Sequence, residues 1–563
     1  MAANILTPAV LWADFQLNIV PNATVVKEKK RGDVILSYLK IEGAEIKGEK
    51  VSIAGVMAKT VQETIAPAVL IVQDFNDGLK EDLIISFAKK GYTALVIDLA
   101  GKVDGKDFYT EYPESISYAN YEKVKDNLYS FKGDARNSSF YQWTCAVRYA
   151  VKYLASISTV TNIGGIGIGK AATAMWQAVS FDDNFSASIF IRNAGWAVYR
   201  GTHKFSNQAV PQFSDDVMKI LAGVEPQAYA PHVKCPSLTI VCANDNEFDV
   251  DRADDTVLRV GEKVYSAVNY STCCNGQISS ADISNAVKFL DIFVANKNQV
   301  KDTLPAEVEI KCEIIDGNFK VEVIAPHENL KDVELYVAEG EINPALRSWV
   351  IVPDKRGGKN GVYKFNYQPY KESNFATFFA KAKYKNGLEI SSEILAKNFE
   401  DNIVGTSYKS AIMYSSRTKN SESIFISVPQ DSKITGVDVS GKNIVSVKAG
   451  PMGIDGAHCV NGLLSFAIGS PRYKPNDGSL LMFDVTGKKD LTLKVKLITD
   501  YFGNKTEFFA PVYVRGGKVW HNVKLELANF KAENGMGLKT YAKVQAIEFI
   551  ADDEFILNNV LWI

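Results

Sequence analysis

The run IGGIGIGKAATAMWQAV, Ile163 to Val179, limits the fold of this chain more than any other stretch. An apolar strand-like segment passes through a knot of glycines directly into an alanine-rich segment that should be helical, so the sequence predicts a strand, a tight turn and a helix with no spacer. Its neighbours repeat the alternation. PAVLIVQDF (67–75), YTALVIDLAG (92–101), SASIFIRNAG (186–195) and PSLTIVCAND (236–245) read as strands. DLIISFAKKG (82–91) and WTCAVRYAVKYLASI (143–157) carry apolar residues at helical spacing, the first with a glycine stop. Strands apolar throughout, rather than alternating, suit a parallel sheet covered on both faces.

After Asn296 the pattern changes. Residues 308, 310 and 312 alternate with polar ones, Asp316-Gly317 turns, and 319, 321 and 323 alternate again; FATFFAKAKYKNGLEISSEI repeats the design around Asn386-Gly387. Residues 401–563 are also strand-rich, and the apolar end FILNNVLWI reads as a final core strand. The chain of 563 residues therefore divides into an α/β domain (1–300), a small antiparallel sandwich (301–400) and a jelly-roll sandwich (401–563). With 63 Lys+Arg against 65 Asp+Glu, no global field draws it to nucleic acid or an anionic membrane. No apolar run is long enough for a membrane span, and MAANILTPAVLW is not a secretion signal. Seven cysteines without a CxxC pair make neither a disulfide scaffold nor a zinc site; Cys242, inside a strand, reads as a buried inert thiol.

The glycine knot admits three readings. Gly164 to Lys170 matches the phosphate-loop pattern GxxxxGK, but Ala171 replaces the hydroxyl that would hold magnesium. Gly167-Ile-Gly169-Lys-Ala-Ala172 matches a dinucleotide turn, but Arg192-Asn193 stands where the ribose-binding acid belongs. As a nucleophile elbow the stretch agrees with its surroundings on both sides: PAVLIVQDFNDG sits where an oxyanion-hole strand belongs, PSLTIVCANDNEFDV where the strand delivering the acid belongs, and NAVKFLDIFVAN where a closing helix belongs. On these segments residues 1–297 resemble the acetyl xylan esterase and dienelactone hydrolase branch of the α/β-hydrolase superfamily.

The resemblance implies a Ser-His-Asp triad, and the chain departs from it. The elbow aligns as Gly167-Ile168-Gly169-Lys170-Ala171, with Gly169 at the nucleophile position, and no GxSxG exists in the chain. Asp245 meets the acid position, with Asp249 as fallback. STCCNGQISSADIS (271–284), where the histidine should lie, offers only Asn275 and Gln277. Glycine has no attacking atom and an amide takes no proton near neutrality, so ordinary serine-ester chemistry is not expected. The rival is an active carbohydrate esterase using Cys273, Cys274 or His203. A lone loop histidine is more often a surface or hydrogen-bonding residue, and a thiol without a base is a poor nucleophile.

Without a serine the elbow still offers a helix start, with Lys170 beside it and Asp74, Phe75 and Asn76 at the mouth. The tyrosine-rich loop 98–124 suits either a sugar or a packed cover. Residues 301–400 resemble an immunoglobulin or fibronectin type III sandwich. The C-terminal part, through VWHNVKLELANFKAENG (519–535) and AIEFIADDEFILNNVLWI (546–563), resembles galactose-binding-like carbohydrate-binding modules. That likeness implies candidate sugar-stacking residues Tyr473, Trp520, Tyr541 and Trp562 and a possible structural calcium near Asp552, Asp553 and Asn559. No other cofactor is expected. The reading is a degenerate esterase-like protein that binds polysaccharide or oligosaccharide or acts as a scaffold, outside the cell or at its surface; a self-assembling surface protein is the remaining alternative.

Overall fold

The computed structural model describes residues 4–15, 18–62, 65–245, 248–261, 263–272, 279–295, 304–370, 373–399, 411–417, 424–428, 445–460 and 462–563. The N-terminal strands are β1 (Ala23–Arg31), β2 (Val34–Ile46), β3 (Glu49–Thr60), β4 (Ala66–Val72), β5 (Thr93–Ile97), β6 (Val160–Ile168), β7 (Phe185–Ile191), β8 (Ser237–Cys242) and β9 (Ser266–Ser271), in the spatial order β1-β2-β3-β5-β4-β6-β7-β8-β9. From β1 to β5 the pairing is antiparallel. From β5 through β4 to β9 every pairing is parallel.

The parallel strands are apolar throughout because both faces are covered. In β4, Val69 and Ile71 enter one core with Phe87 and Leu290, from the helices Glu81–Ala88 and Ser280–Phe293. Ala68, Leu70 and Val72 enter the other with Val147 and Trp176, from the helices Ser139–Ser156 and Ala172–Phe181. Each large aliphatic side chain so enclosed stabilises the fold by about 1.5–3 kcal/mol. Local signals set the helix ends: Ser138 Oγ accepts the Tyr141 N–H, Ser279 and Asp282 close a capping box, and Gly91 (φ +92) follows the first of these helices.

The first sandwich contains both expected hairpins. Glu309–Ile315 and Asn318–Ile324 turn through Asp316 (φ +51) and Gly317 (φ +71), and Phe375–Tyr384 returns as Glu389–Ser391. Its second sheet does not stand alone. Ser391 pairs with Val268 of β9, so the α/β sheet and this half of the sandwich are one 14-stranded sheet. Ser391 Oγ accepts the Tyr270 N–H at 3.0 Å, and the Asn285 amide bonds both backbone groups of Glu389 at 2.9 Å.

The joint is fastened by a fully enclosed ion pair. The Arg347 guanidinium grips both oxygens of Asp251 at 2.5 and 2.8 Å, with both side chains 0% exposed. It also donates to the carbonyls of Glu341 and Ile342. Around it the Asn244 amide donates to the Arg347 carbonyl, Trp349 Nε1 donates to the Ala243 carbonyl, and Asp254 Oδ2 accepts the Tyr270 hydroxyl and the Ile394 N–H.

The described residues from 411 onward form two facing antiparallel sheets around Phe483, Val495, Phe549 and Trp562. The final strand Phe555–Trp562 is central, paired with Leu481–Gly487, Asp455–His458 and Ala411–Tyr414. Among the described residues no helix is long and apolar enough to cross a membrane.

Breaking the ion pair from one side should be costly, because it strands a buried charge. Arg347→Met should lower unfolding free energy by about 3–5 kcal/mol in urea titrations; a loss below about 1 kcal/mol would show that the pair does not hold the joint. The joint should also respond to pH. Burial pushes Asp254 up to about 7 despite its two donors, and Glu225 and Glu339 likewise reach about 7 through burial. Such a carboxyl holds its proton more tightly folded than unfolded, so its contribution is full below the unfolded value near 4 and is lost as pH rises through about 7. Histidines that burial lowers, such as His203 and His458, act in the opposite sense but only up to their ordinary 6.5. Calorimetric melting temperatures should therefore fall from pH 6.5 to 8, and fall less in Asp254→Asn.

Candidate functional site

β6 ends at Ile168, and Gly169 follows with φ +61, a left-handed conformation that glycine adopts without penalty. A Cβ on Gly167 would lie 2.7 Å from Met175 Cβ and 2.8 Å from Ala172 Cα, so that glycine lets strand and helix meet. Asn193, fully buried, donates to the Gly169 carbonyl and to Thr173 Oγ1, both at 3.0 Å, and pins the turn. The elbow expected from the sequence is present as a backbone shape.

Its notch is filled. A Cβ on Gly169 would stand 1.9 Å from Asp74 Oδ2 and 2.6 Å from Asp74 Cγ. Asp74 Oδ1 accepts the Phe75 N–H at 2.8 Å, and Oδ2 accepts the Lys170 N–H at 3.4 Å. In a hydrolase elbow the N–H after the nucleophile and one from the loop that follows the oxyanion strand would face a developing oxyanion. Here both point at a resident carboxylate. Burial raises the Asp74 pKa, the Phe75 N–H and Lys170 pull it down, Asp77 raises it, and Arg192 lowers it. Asp74 thus does not line an open mouth, as the sequence suggested; it enters the turn.

Ionic contacts hold the residues around this turn. Asp245 is buried, its Oδ1 accepts the Phe248 N–H at 3.3 Å, and its Oδ2 lies 3.9 Å from Arg192 Nη2. Arg192, itself left-handed at φ +57, acts on both Asp74 and Asp245. A guanidinium stays protonated, so it cannot take a proton and return it as a histidine does. Asn275, Gln277, Cys273 and Cys274 lie outside the described residues. Cys242 is buried as expected but is disulfide-bonded rather than a free thiol, while Cys145, Cys235 and Cys312 are buried free thiols.

The other expected site residues are scattered. Phe75 is enclosed between Tyr121, stacked at 4.4 Å, and Trp143, at 4.3 Å, and Tyr112 bonds the Leu99 carbonyl, so the tyrosine-rich loop packs as a cover. Asn76 is exposed. Tyr541 and Trp562 are 0% and 1% exposed and Tyr473 is buried, so these three belong to the sandwich core rather than to a stacking face: Trp562 on the inner face of the final strand, the two tyrosines from turns that fold over the core. Trp520 packs over Gly450 and donates to the Pro451 carbonyl at 3.1 Å. The expected calcium ligands do not converge: Asp552 accepts the Thr492 N–H, Asp553 pairs with Lys489 at 3.2 Å, and Asn559 donates to Asp484. Among the described residues no three His, Cys, Asp or Glu side chains are placed to hold a metal ion.

His203 lines, with Asp245, Phe248 and Asp249, a cleft of about 1130 Å³ whose other walls include Tyr199 and Arg200 of the α/β part, Glu341 and Asn343 of the first sandwich and Asp500 and Phe502 of the second. Sequence reasoning missed this cleft, because its walls come from three distant parts of the chain and no local pattern encodes their meeting.

Three solved structures illustrate the likeness of the N-terminal half. An acetyl xylan esterase from Paenibacillus sp. R4 is 12% identical at TM-score 0.39, covering 51% of this chain and 92% of its own. Acetyl xylan esterase 1 from Thermoanaerobacterium sp. JW/SL YS485 is 13% identical at TM-score 0.37, covering 50% and 91%. A cold-adapted esterase from an Arctic intertidal metagenomic library is 13% identical at TM-score 0.32, covering 49% and 100%. No protein-family model matches the sequence, and no curated protein matches it. At these scores the overlap is loose.

Gly169→Ala should cost roughly 2–4 kcal/mol, from left-handed strain plus overlap with the carboxylate. In an Asp74→Ala background the same substitution should cost at least ~1 kcal/mol less, a coupling that a double-mutant cycle in urea measures. Additive effects would mean that Asp74 does not fill the notch.

Proposed function

We propose that the N-terminal half is a degenerate α/β-hydrolase domain that no longer hydrolyses esters, and that the protein works as a carbohydrate-binding protein on this frame. The single observation that carries the reading is the Asp74 carboxylate in the space of an elbow side chain, satisfying the N–H groups of Phe75 and Lys170. A nucleophile added at Gly169 would collide with that carboxylate. An ester carbonyl approaching the same N–H groups would find them already bonded to the Asp74 carboxyl, which removes the electrostatic stabilisation on which acyl transfer chiefly depends. Two strand-rich domains beside a cleft of oligosaccharide size that mixes apolar wall with carboxyl and amide groups support a binding role. The disulfide at Cys242 supports an oxidising compartment such as the cell exterior.

Initial rates on 4-nitrophenyl acetate and acetylated xylan should not exceed the buffer background. Incubation with a fluorophosphonate should leave the intact mass unchanged. A stoichiometric phosphonyl adduct together with turnover that the reagent abolishes would sink the non-hydrolytic reading. Retention on a panel of immobilised plant and microbial polysaccharides tests the binding half.

A further inference from the structure

The three-part cleft has a charge and a shape that the carbohydrate reading leaves unspecified. Its lining carries the carboxylates of Asp245, Asp249, Glu341 and Asp500 against one guanidinium, Arg200, and the imidazole of His203. Asp249 is the most telling. Its side chain is only 3% exposed, Oδ2 accepts Arg252 Nε at 2.8 Å, and Oδ1 is enclosed with no hydrogen-bond partner among the described residues. A buried carboxylate oxygen without a donor is costly, and a donor brought by a ligand would satisfy it.

We propose that this cleft binds an oligosaccharide bearing ammonium groups, of the glucosamine type, anchored on Asp249 and Glu341 and stacked on Phe502. The proposal rests on the carbohydrate-binding reading and names its site and ligand class. The carboxylates are not gathered for a metal ion, since no three of them converge among the described residues; dispersed anions fit a ligand that spreads its cations along its length. Burial pushes Asp249 up to about 6, with Asp251 raising it further and Arg252 and Arg347 lowering it. Burial pushes Glu341 up to about 7 against Lys474 and Arg347. Both groups gain when an ammonium sits beside them. A saccharide is favoured over a basic peptide because Phe502, 46% exposed, is held beside Phe466 and Tyr501 with a ring left open at the cleft, and because Asn207, Gln208 and Asn343 add planar polar groups that suit hydroxyls.

The test is calorimetric titration of the full chain with four hexamers: glucosamine, N-acetylglucosamine, galacturonate and lysine. The expected order puts the glucosamine hexamer first, at least tenfold tighter than its acetylated counterpart, with the galacturonate hexamer unbound. Asp249→Asn and Glu341→Gln should each weaken the glucosamine hexamer at least fivefold, and Phe502→Ala should weaken both neutral and cationic sugars. Thermal melts report whether each variant is folded, and Glu341→Gln, on a partly exposed loop residue, stands if Asp249→Asn does not fold. Sugar binding untouched by all three substitutions would overturn the cleft as the site while leaving carbohydrate binding in place. Failure of every sugar, here and on immobilised polysaccharides, would remove the carbohydrate reading itself. Tighter, cleft-dependent binding of the lysine hexamer would overturn the saccharide class.

Discussion

A guanidinium and a carboxylate sealed together at a joint between two folding units constrain everything built around them. Arg347 and Asp251 are both wholly enclosed, and neither can be left alone in that environment without a large penalty. Asp251 belongs to the segment that follows β8, the same loop that carries Asp245 and Asp249. The requirement to satisfy Arg347 fixes that loop against the first sandwich, and Asp254 and Asn244 add further ties in the same direction.

The elbow shows the complementary change. Its shape survives because the packing of β6 on the following helix demands small residues at 167 and a left-handed residue at 169, whatever chemistry occurs there. The space beside Gly169 is not a cavity: Asp74 occupies it and accepts the N–H groups of Phe75 and Lys170. Arg192 acts on both Asp74 and Asp245 and ties the turn to the loop after β8.

Much of this was legible in the sequence, and the limits are physical. Apolar runs, the glycine stop at Gly91, the turn at Asp316-Gly317 and the elbow at Gly169 are local, governed by a few neighbouring residues, and the structure places them where the pattern did. That no GxSxG occurs in the chain was equally plain. The role of Asp74 was not, because a carboxylate far upstream in the chain declares nothing about which notch it fills. Trp562, a candidate for sugar stacking, is core: the alternation of a strand identifies two faces but not which one meets the opposite sheet. Nothing in the hairpin around Asn386-Gly387 announced that its return strand would pair with β9; that follows from an open sheet edge far away in the chain.

Among the described residues the path of the large sheet runs from β1 to the two-residue strand Val350–Ile351. β1 is exposed along most of its length and studded with Lys27, Lys29, Lys30 and Arg31. Like charges there repel the β1 of a second copy, so this margin of the sheet resists edge-on pairing with itself.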